Sequence, residues 1–295
     1  MLGRLTDADG VPAGLHPAFL RACVRHDLLA QPSPNSTASA IGHDLIAGLV
    51  DRQDRHSLGF NVAQTVRVAG AVRDRLSPDN WRVLNRLLQL FTRETDSHAL
   101  DLDDALELID DALVSLVAVG GLEMAHMTRD DGWRFLSLGR HLERLHFVSS
   151  TLADVVPDQA SAGSGLLEWL LELSDSLLTY RVRHMQQPEW EAVVDLTLID
   201  ERNPRSARFQ LAKLAKHVRL LPDAGVIDVL AEVEQLLDDC RSDFGGDQGE
   251  LFGGGERRLG ALLIGCQRVA LRLGSALSLR YFSHVDDVPR ATGGL

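Results

Sequence analysis

Aromatic residues make up only 5% of this 295-residue chain, and cysteines number three. Cys23, Cys240 and Cys266 have no metal-type spacing, and an odd count without a secretory leader points to reduced thiols in the cytosol. Excess positive charge is missing too. The 30 basic residues face 42 acidic ones, for a formal charge of −12. That balance argues against a nucleic-acid partner, which needs a basic surface to displace counterions, and against an anionic membrane. The opening Met1-Leu2-Gly3-Arg4-Leu5-Thr6-Asp7 lacks the apolar run of a signal peptide, and no stretch reaches the roughly 18 continuous apolar residues of a membrane span. The chain therefore reads as a soluble, cytoplasmic protein. β-Branched runs are scarce and no segment alternates with period two, which excludes a sheet-based fold.

Helical periodicity fills the space. Ser57 reads as the N-cap of a helix to about Leu76, and Ser77-Pro78-Asp79 starts another to about Arg93: a capping serine, proline at the first helical position, an acid in the first turn. Further helices are expected over Asp101–Met127, from Trp133 to about Val155, and over Leu166–His184 and Pro188–Leu198. Others run from Asn203-Pro204 to about Leu221, over Asp223–Cys240 and over Glu256–Phe282. Residues 1–56 form an irregular segment with short helices at Pro17–Ala30 and Ala40–Asp51. The Gln31–Thr37 and Phe244–Gly255 tracts read as loops by composition, and the tail frays from His284. The expected architecture is all-α, a multi-helix bundle. A faint echo runs through it. Asp51 and Ser57, leading into Leu58-Gly59-Phe60-Asn61-Val62-Ala63, match Asp200 and Ser206, leading into Ala207-Arg208-Phe209-Gln210-Leu211-Ala212, which suggests two related helical halves.

The most informative stretch is Trp133-Arg134-Phe135-Leu136-Ser137-Leu138-Gly139-Arg140-His141-Leu142-Glu143-Arg144. At about 100° per residue, Phe135, Leu138, Leu142, Leu145 and Leu152 share one face. Trp133, Leu136 and Phe147 share a second, with Arg140, Glu143 and Arg144 among them. Charges on an apolar face must be paired, because unpaired burial is expensive. The expectation is a buried ionic cluster: Arg140 bridging to Glu143, and Arg144 seeking Glu123, Glu172 or Asp175 on another helix. The cluster is either an architectural lock or the lining of a site, with the guanidinium forks clamping a carboxylate or a phosphate. On the lock reading, Glu143→Ala costs about 3–5 kcal/mol.

Other candidates are weaker. Glu123-Met124-Ala125-His126 and Glu143-Arg144-Leu145-His146 are both Glu-x-x-His, the core of carboxylate-bridged di-metal bundles, which also need a Glu from each of two further helices; Glu107 and Glu168 or Glu172 are the proposals. Thr179-Tyr180-Arg181-Val182-Arg183-His184 is a basic helix end, and Asn203-Pro204-Arg205-Ser206 offers free N–H groups to hold an anion beside Arg205 and Arg208. Helix capping is the simpler reading of both, beside the functional one. No phosphate-binding Gly-x-x-x-x-Gly-Lys loop, nucleophile elbow or Cys/His pair is present. No catalytic motif is found, and no cofactor is implied.

Taken together, Met127 to Arg144, Val72-Arg73-Asp74-Arg75-Leu76-Ser77 with Trp81, Ser176-Leu177-Leu178-Thr179-Tyr180-Arg181, Asp200 with Asn203-Pro204-Arg205-Ser206, and Tyr281-Phe282-Ser283 resemble the bacterial alpha-E family. That family is named for its Glu-Arg motif, here Glu143-Arg144. The resemblance covers roughly residues 57–284 and implies an all-helical, internally duplicated domain of no established reaction. It also implies a partner: a circularly permuted ATP-grasp protein, which joins a carboxylate to an amine, often with a transglutaminase-like protein. On this resemblance the chain is a non-catalytic accessory of a peptide- or amide-forming system, with Arg140, Glu143, Arg144, Tyr180, Arg181, Asp200 and Arg205 as its binding or ionic core. The alternative is an enzyme with a di-metal centre at Glu123, His126, Glu143 and His146. Family members usually begin with a first copy of the Leu-Gly-Arg…Glu-Arg helix, which residues 1–56 do not contain. The chain thus resembles the C-terminal part of fused ATP-grasp/alpha-E proteins, or a truncated reading of one. An apolar patch is expected where the first copy would pack, with self-association or docking as its consequence.

Overall fold

The computed structural model describes residues 17–30, 37–93, 100–161, 163–221, 227–242 and 255–282. Among them all regular structure is helical. The chain divides into two units, 1–129 and 130–295.

The first unit holds α1 (Pro17–Arg25), α2 (Ala38–Val50), α3 (Leu58–Ala71), α4 (Pro78–Arg93) and α5 (Leu102–His126). Local chemistry sets the starts. Ser57 accepts the Phe60 N–H at 3.0 Å, Ser77 that of Asn80 at 3.2 Å, and Asp101 that of Asp104 at 2.9 Å, each satisfying a donor the helix leaves orphaned. The α3 helix stops at Ala71 rather than Leu76. A 3₁₀ turn over Arg73–Arg75 follows, and Leu76 is extended, as suits the approach to Ser77-Pro78. Val62, Leu87, Phe91, Leu108 and Ala112 form one core cluster and Val66, Leu84 and Val119 another.

The second unit holds α6 (Asp131–Val155), α7 (Ser164–Leu173), α8 (Leu177–His184), α9 (Trp190–Val194), α10 (Ala207–Val218), α11 (Ile227–Ser242) and α12 (Gly255–Leu277). Helix α6 packs against both α10 and α12, and α11 joins α10 to α12. At Gly265 the two last helices touch so closely that a Cβ would stand 2.8 Å from Leu236 Cδ2. By length and mean hydropathy Arg257–Phe282 could cross a membrane, yet 44% of its most apolar window is buried inside the protein.

Three further expected elements differ. Leu166–His184 is two helices, because Asp175 takes φ 49° and the Ser176 N–H turns back to the Leu171 carbonyl at 2.8 Å, a left-handed helix stop. Pro188–Leu198 is a short α9 widened into a π turn over Asp195–Ile199. Asn203 does not open α10. Ser206 caps it through the Phe209 N–H at 3.1 Å, and Asn203 is buried. The two glycine-rich and proline-rich loop expectations at 244–255 and 31–37, and the tail, lie largely or wholly outside the described residues.

The sequence echo has a structural counterpart. Asp51 (φ −64°, ψ 108°) and Asp200 (φ −63°, ψ 109°) end their helices in one conformation. Ser57 and Ser206 follow with ψ 152° each. In both corners the serine hydroxyl donates to the aspartate's carbonyl six residues back. Both aspartates accept the N–H two residues on, at 2.8 Å each. Upstream, Val24-Arg25-His26-Asp27 and Val182-Arg183-His184-Met185 each end a helix on a left-handed residue, φ 54° at Asp27 and φ 50° at Met185. The long helices agree as well. Buried Ala105, Leu108, Ala112, Ser115, Val119 and Glu123 on α5 share one spacing with buried Leu259, Leu262, Cys266, Val269, Leu273 and Leu277 on α12.

Candidate functional site: the exposed edge of helix α6

Helix α6 starts where Asp130 accepts the Trp133 N–H at 3.1 Å. Its first apolar face is buried as its period requires, through Leu138, Leu142, Leu145 and Leu152. The second is not. Trp133 and Leu136 are half-buried, Phe147 is exposed, and Gly139, Glu143 and Arg144 are exposed between them. The buried ionic cluster is therefore corrected. Glu143 makes no ion pair among the described residues, and neither does Arg144. With α10 on one side of α6 and α12 on the other, Glu143 and Arg144 on the strip between them are left to solvent, so neither needs a partner.

On the α10 side the strip is cationic. Burial lowers the pKa of Arg140. That of Arg144 falls through burial and then through Arg205 and Arg140, so three guanidiniums stand within electrostatic reach of one another. Arg205 donates to Asp175 at 2.7 Å, a carboxylate that had been a candidate partner for Arg144. His141 holds Gln210 Oε1 at 2.7 Å, while Gln210 Nε2 donates to the Pro204 carbonyl at 2.7 Å. His141 stacks on His217, with centroids 5.9 Å apart, and Trp133 meets His217 edge-on at 5.3 Å. His217 is 6% exposed, and its Nδ1 is buried without a hydrogen-bond partner among the described residues. Burial, then His141, Lys216, Lys213 and Arg134, pull its pKa down to about 4. The pKa of His141 is lowered by burial and by Arg144, Lys213 and Arg140, against the bond to Gln210.

On the α12 side runs a groove of about 690 Å³ lined by Glu143 and His146 with Gly139, Leu271, Gly274 and Leu279. A Cβ on Gly139 would meet nothing within 4 Å, so missing side chains help to open it. The di-metal centre at Glu123, His126, Glu143 and His146 is corrected: no group of three or more His, Cys, Asp or Glu side chains among the described residues could hold a metal.

The remaining candidates serve the fold. Tyr180 is fully buried, stacks on His184, donates to the Gln187 carbonyl at 3.3 Å and accepts the Glu189 N–H at 3.0 Å, so it ties α8 to the start of α9. Arg181 lies 3.8 Å from Glu168 at the surface. Asp200 pairs with Arg183. Burial would raise its pKa, but the bonds from Arg183 and the Arg202 N–H outweigh that and lower it. Sequence reasoning missed His141, Gln210, Lys213 and His217. The signal was present: Gln210, Lys213 and His217 recur at i, i+3 and i+7, one face of a helix.

Residues 12–282 match the family model of Alpha-E, described as a predicted alpha-helical domain with a conserved ER motif. The chain belongs to that family, and the match reaches well upstream of residue 57. Uncharacterized proteins of Mycobacterium tuberculosis and Mycobacterium bovis are 29% identical over 178 residues, 59% of this chain and 20% of theirs. The chain thus spans about a fifth of the length of the curated relatives it matches. No solved structure matches.

Proposed function

We propose that this chain is a non-catalytic helical accessory protein that docks, through the exposed face of α5, onto an ATP-grasp-type ligase acting in peptide or amide-bond formation or modification. A transglutaminase-like protein is a further partner of the same system. The carrying observation is the difference between α5 and α12. On α12 the stripe facing α6 includes Gln267, which donates to the Ser149 carbonyl at 3.3 Å, and Gly274, where a Cβ would lie 3.9 Å from Leu142. At the shared spacing the same positions on α5 are Leu113 and Gly120. Leu113 is 53% exposed, and beside it Leu116 is 43% and Val117 73% exposed, with Val114 and Met124 also uncovered. Contiguous apolar surface of this kind marks an interaction site, and the covered stripe on α12 indicates what fits: a helix laid along it. Exposed Asp103, Glu107 and Asp110 border the bare stripe, which favours a helix flanked by basic residues.

The test is co-purification with a separately encoded ATP-grasp protein at micromolar concentration, for the native chain and for Val117→Asp. Association that the substitution weakens at least about tenfold supports the reading. No association overturns it. A concentration-dependent mass in sedimentation that Val117→Asp abolishes also overturns it, by assigning the face to a second copy of the chain.

A further inference from the structure

The whole chain carries a formal charge of −12, yet the seam between α6 and α10 gathers cations. Arg140, His141 and Arg144 lie within about one turn of α6. Both lysines of the protein, Lys213 and Lys216, lie on α10. Neither Arg144 nor Lys213 makes an ion pair among the described residues. Lys213 instead sits over the Phe209 ring, 4.8 Å from its centroid, and the same ring lies 6.5 Å from His141. Arg205, from the 200–206 corner, enters the seam with a single, exposed carboxylate on it. Like charges held together beside a partly desolvated surface cost stability. They do so unless something negative occupies the seam.

The hydrogen bonds narrow the choice of anion. Because Gln210 Nε2 is committed to the Pro204 carbonyl, its Oε1 must accept from His141, which places the imidazole proton on Nδ1. The other ring nitrogen, Nε2, is then a lone-pair acceptor in the neutral ring. A carboxylate offers it nothing. A phosphate group that keeps one proton, as HPO4²⁻ or as the monoanion of a monoester, offers an acidic O–H to Nε2 and, at the same time, several oxygens to guanidinium and ammonium donors. Its charge of up to −2 also answers more than one unpaired cation, where a carboxylate answers one.

We propose that the α6/α10 seam, through Arg144, Lys213, Arg205 and His141, binds a phosphate group. This site belongs to the second unit alone, and the proposal does not rest on what docks on α5.

The experiment is calorimetric and NMR titration of the full chain at pH 6, where inorganic phosphate and a large share of phenyl phosphate both keep a proton, with inorganic phosphate, phenyl phosphate and acetate. Phosphate is expected to bind at least about tenfold tighter than acetate and to weaken as salt rises. Arg144→Gln and Lys213→Gln are each expected to weaken it about fivefold or more, with melting curves showing both variants folded; neither side chain is buried. Tighter binding of phenyl phosphate than of inorganic phosphate identifies a phosphate monoester as the source; the reverse identifies free phosphate. Equal affinity for phosphate and acetate, or unchanged phosphate affinity in the Arg144→Gln/Lys213→Gln double variant, overturns the proposal. Val117→Asp leaves phosphate binding unchanged, so failure of the docking reading and failure of this one are read separately.

Discussion

Residues 51–57 and 200–206 trace the same corner and are furnished differently. In the first, position 54 is an aspartate whose carboxylate accepts the His56 N–H at 2.9 Å at the surface. In the second, the matching position is Asn203, buried, which donates to Ser176 Oγ at 3.0 Å and to the Leu196 carbonyl at 2.8 Å and accepts the Arg205 N–H at 3.1 Å. His56 gives way to Arg205, Asn61 to Gln210, Gln64 to Lys213 and exposed Val68 to buried His217. The serine-to-carbonyl bond and the helix cap are retained in both. The corner is thus a shared joint, and Arg205, Gln210, Lys213 and His217 stand at only one of its two occurrences, whereas Lys216 matches another cation, Arg67. Chemistry sits on a scaffold without being dictated by it.

Four measurements break or sharpen that comparison. The largest effect is expected in acid. The folded-state pKa of His217 is about 4 against about 6.5 unfolded. The ring is buried neutral, so its contribution is intact above pH 6.5 and is lost as pH falls from 6.5 towards 4. That loss is worth up to about 3 kcal/mol, and the lowered pKa of His141 acts in the same direction. Urea midpoints compared at pH 8 and pH 4.5 should show a clearly smaller drop in His217→Leu, which carries an apolar residue as position 68 does. An unaltered drop would place the acid sensitivity elsewhere.

Next comes Asn203→Ala, which strands the Leu196 carbonyl and Ser176 in the interior. It should cost about 2–3 kcal/mol in denaturant unfolding, against less than about 0.5 kcal/mol for surface Asp54→Ala. Similar costs would mean that the two corners are furnished alike energetically. Ser57→Ala and Ser206→Ala test the shared part. Each removes a cap and a hydrogen bond, for about 1–2 kcal/mol, and the two values should agree within about 0.5 kcal/mol. The smallest effect is Glu143→Ala. With an exposed carboxylate it should shift stability by less than about 0.5 kcal/mol, where a buried pair would have lost several.

That last contrast shows what the sequence could and could not disclose. The helix starts after Ser57 and Ser77 were legible because capping is local: a side chain three residues from its partner carries its own evidence. The first face of α6 was legible through its period. The second was not, because periodicity reveals that a face is apolar and not whether a neighbour covers it. Trp133, Leu136 and Phe147 suggested a second core contact, and the packing of α10 and α12 to either side leaves that strip open. Asp175 hid its break for a related reason. Nothing about an aspartate between two serines announces a left-handed residue, and Ser174 can bond back to Leu170 within the helix, as it does at 2.9 Å. The cationic seam required knowing that α10 lies against α6, a contact between residues about 70 positions apart.

The π turn at Asp195–Ile199 bears on how the two halves can be aligned. Such a turn is a helix that has absorbed one additional residue as a bulge, and here Thr197 stays buried within it, its hydroxyl on the Val193 carbonyl at 2.7 Å. Helix α2, which reaches the matching corner at Asp51, runs to it without a bulge. Deleting one residue between 195 and 199 should therefore return α9 to ordinary winding while leaving the Asp200 joint in place.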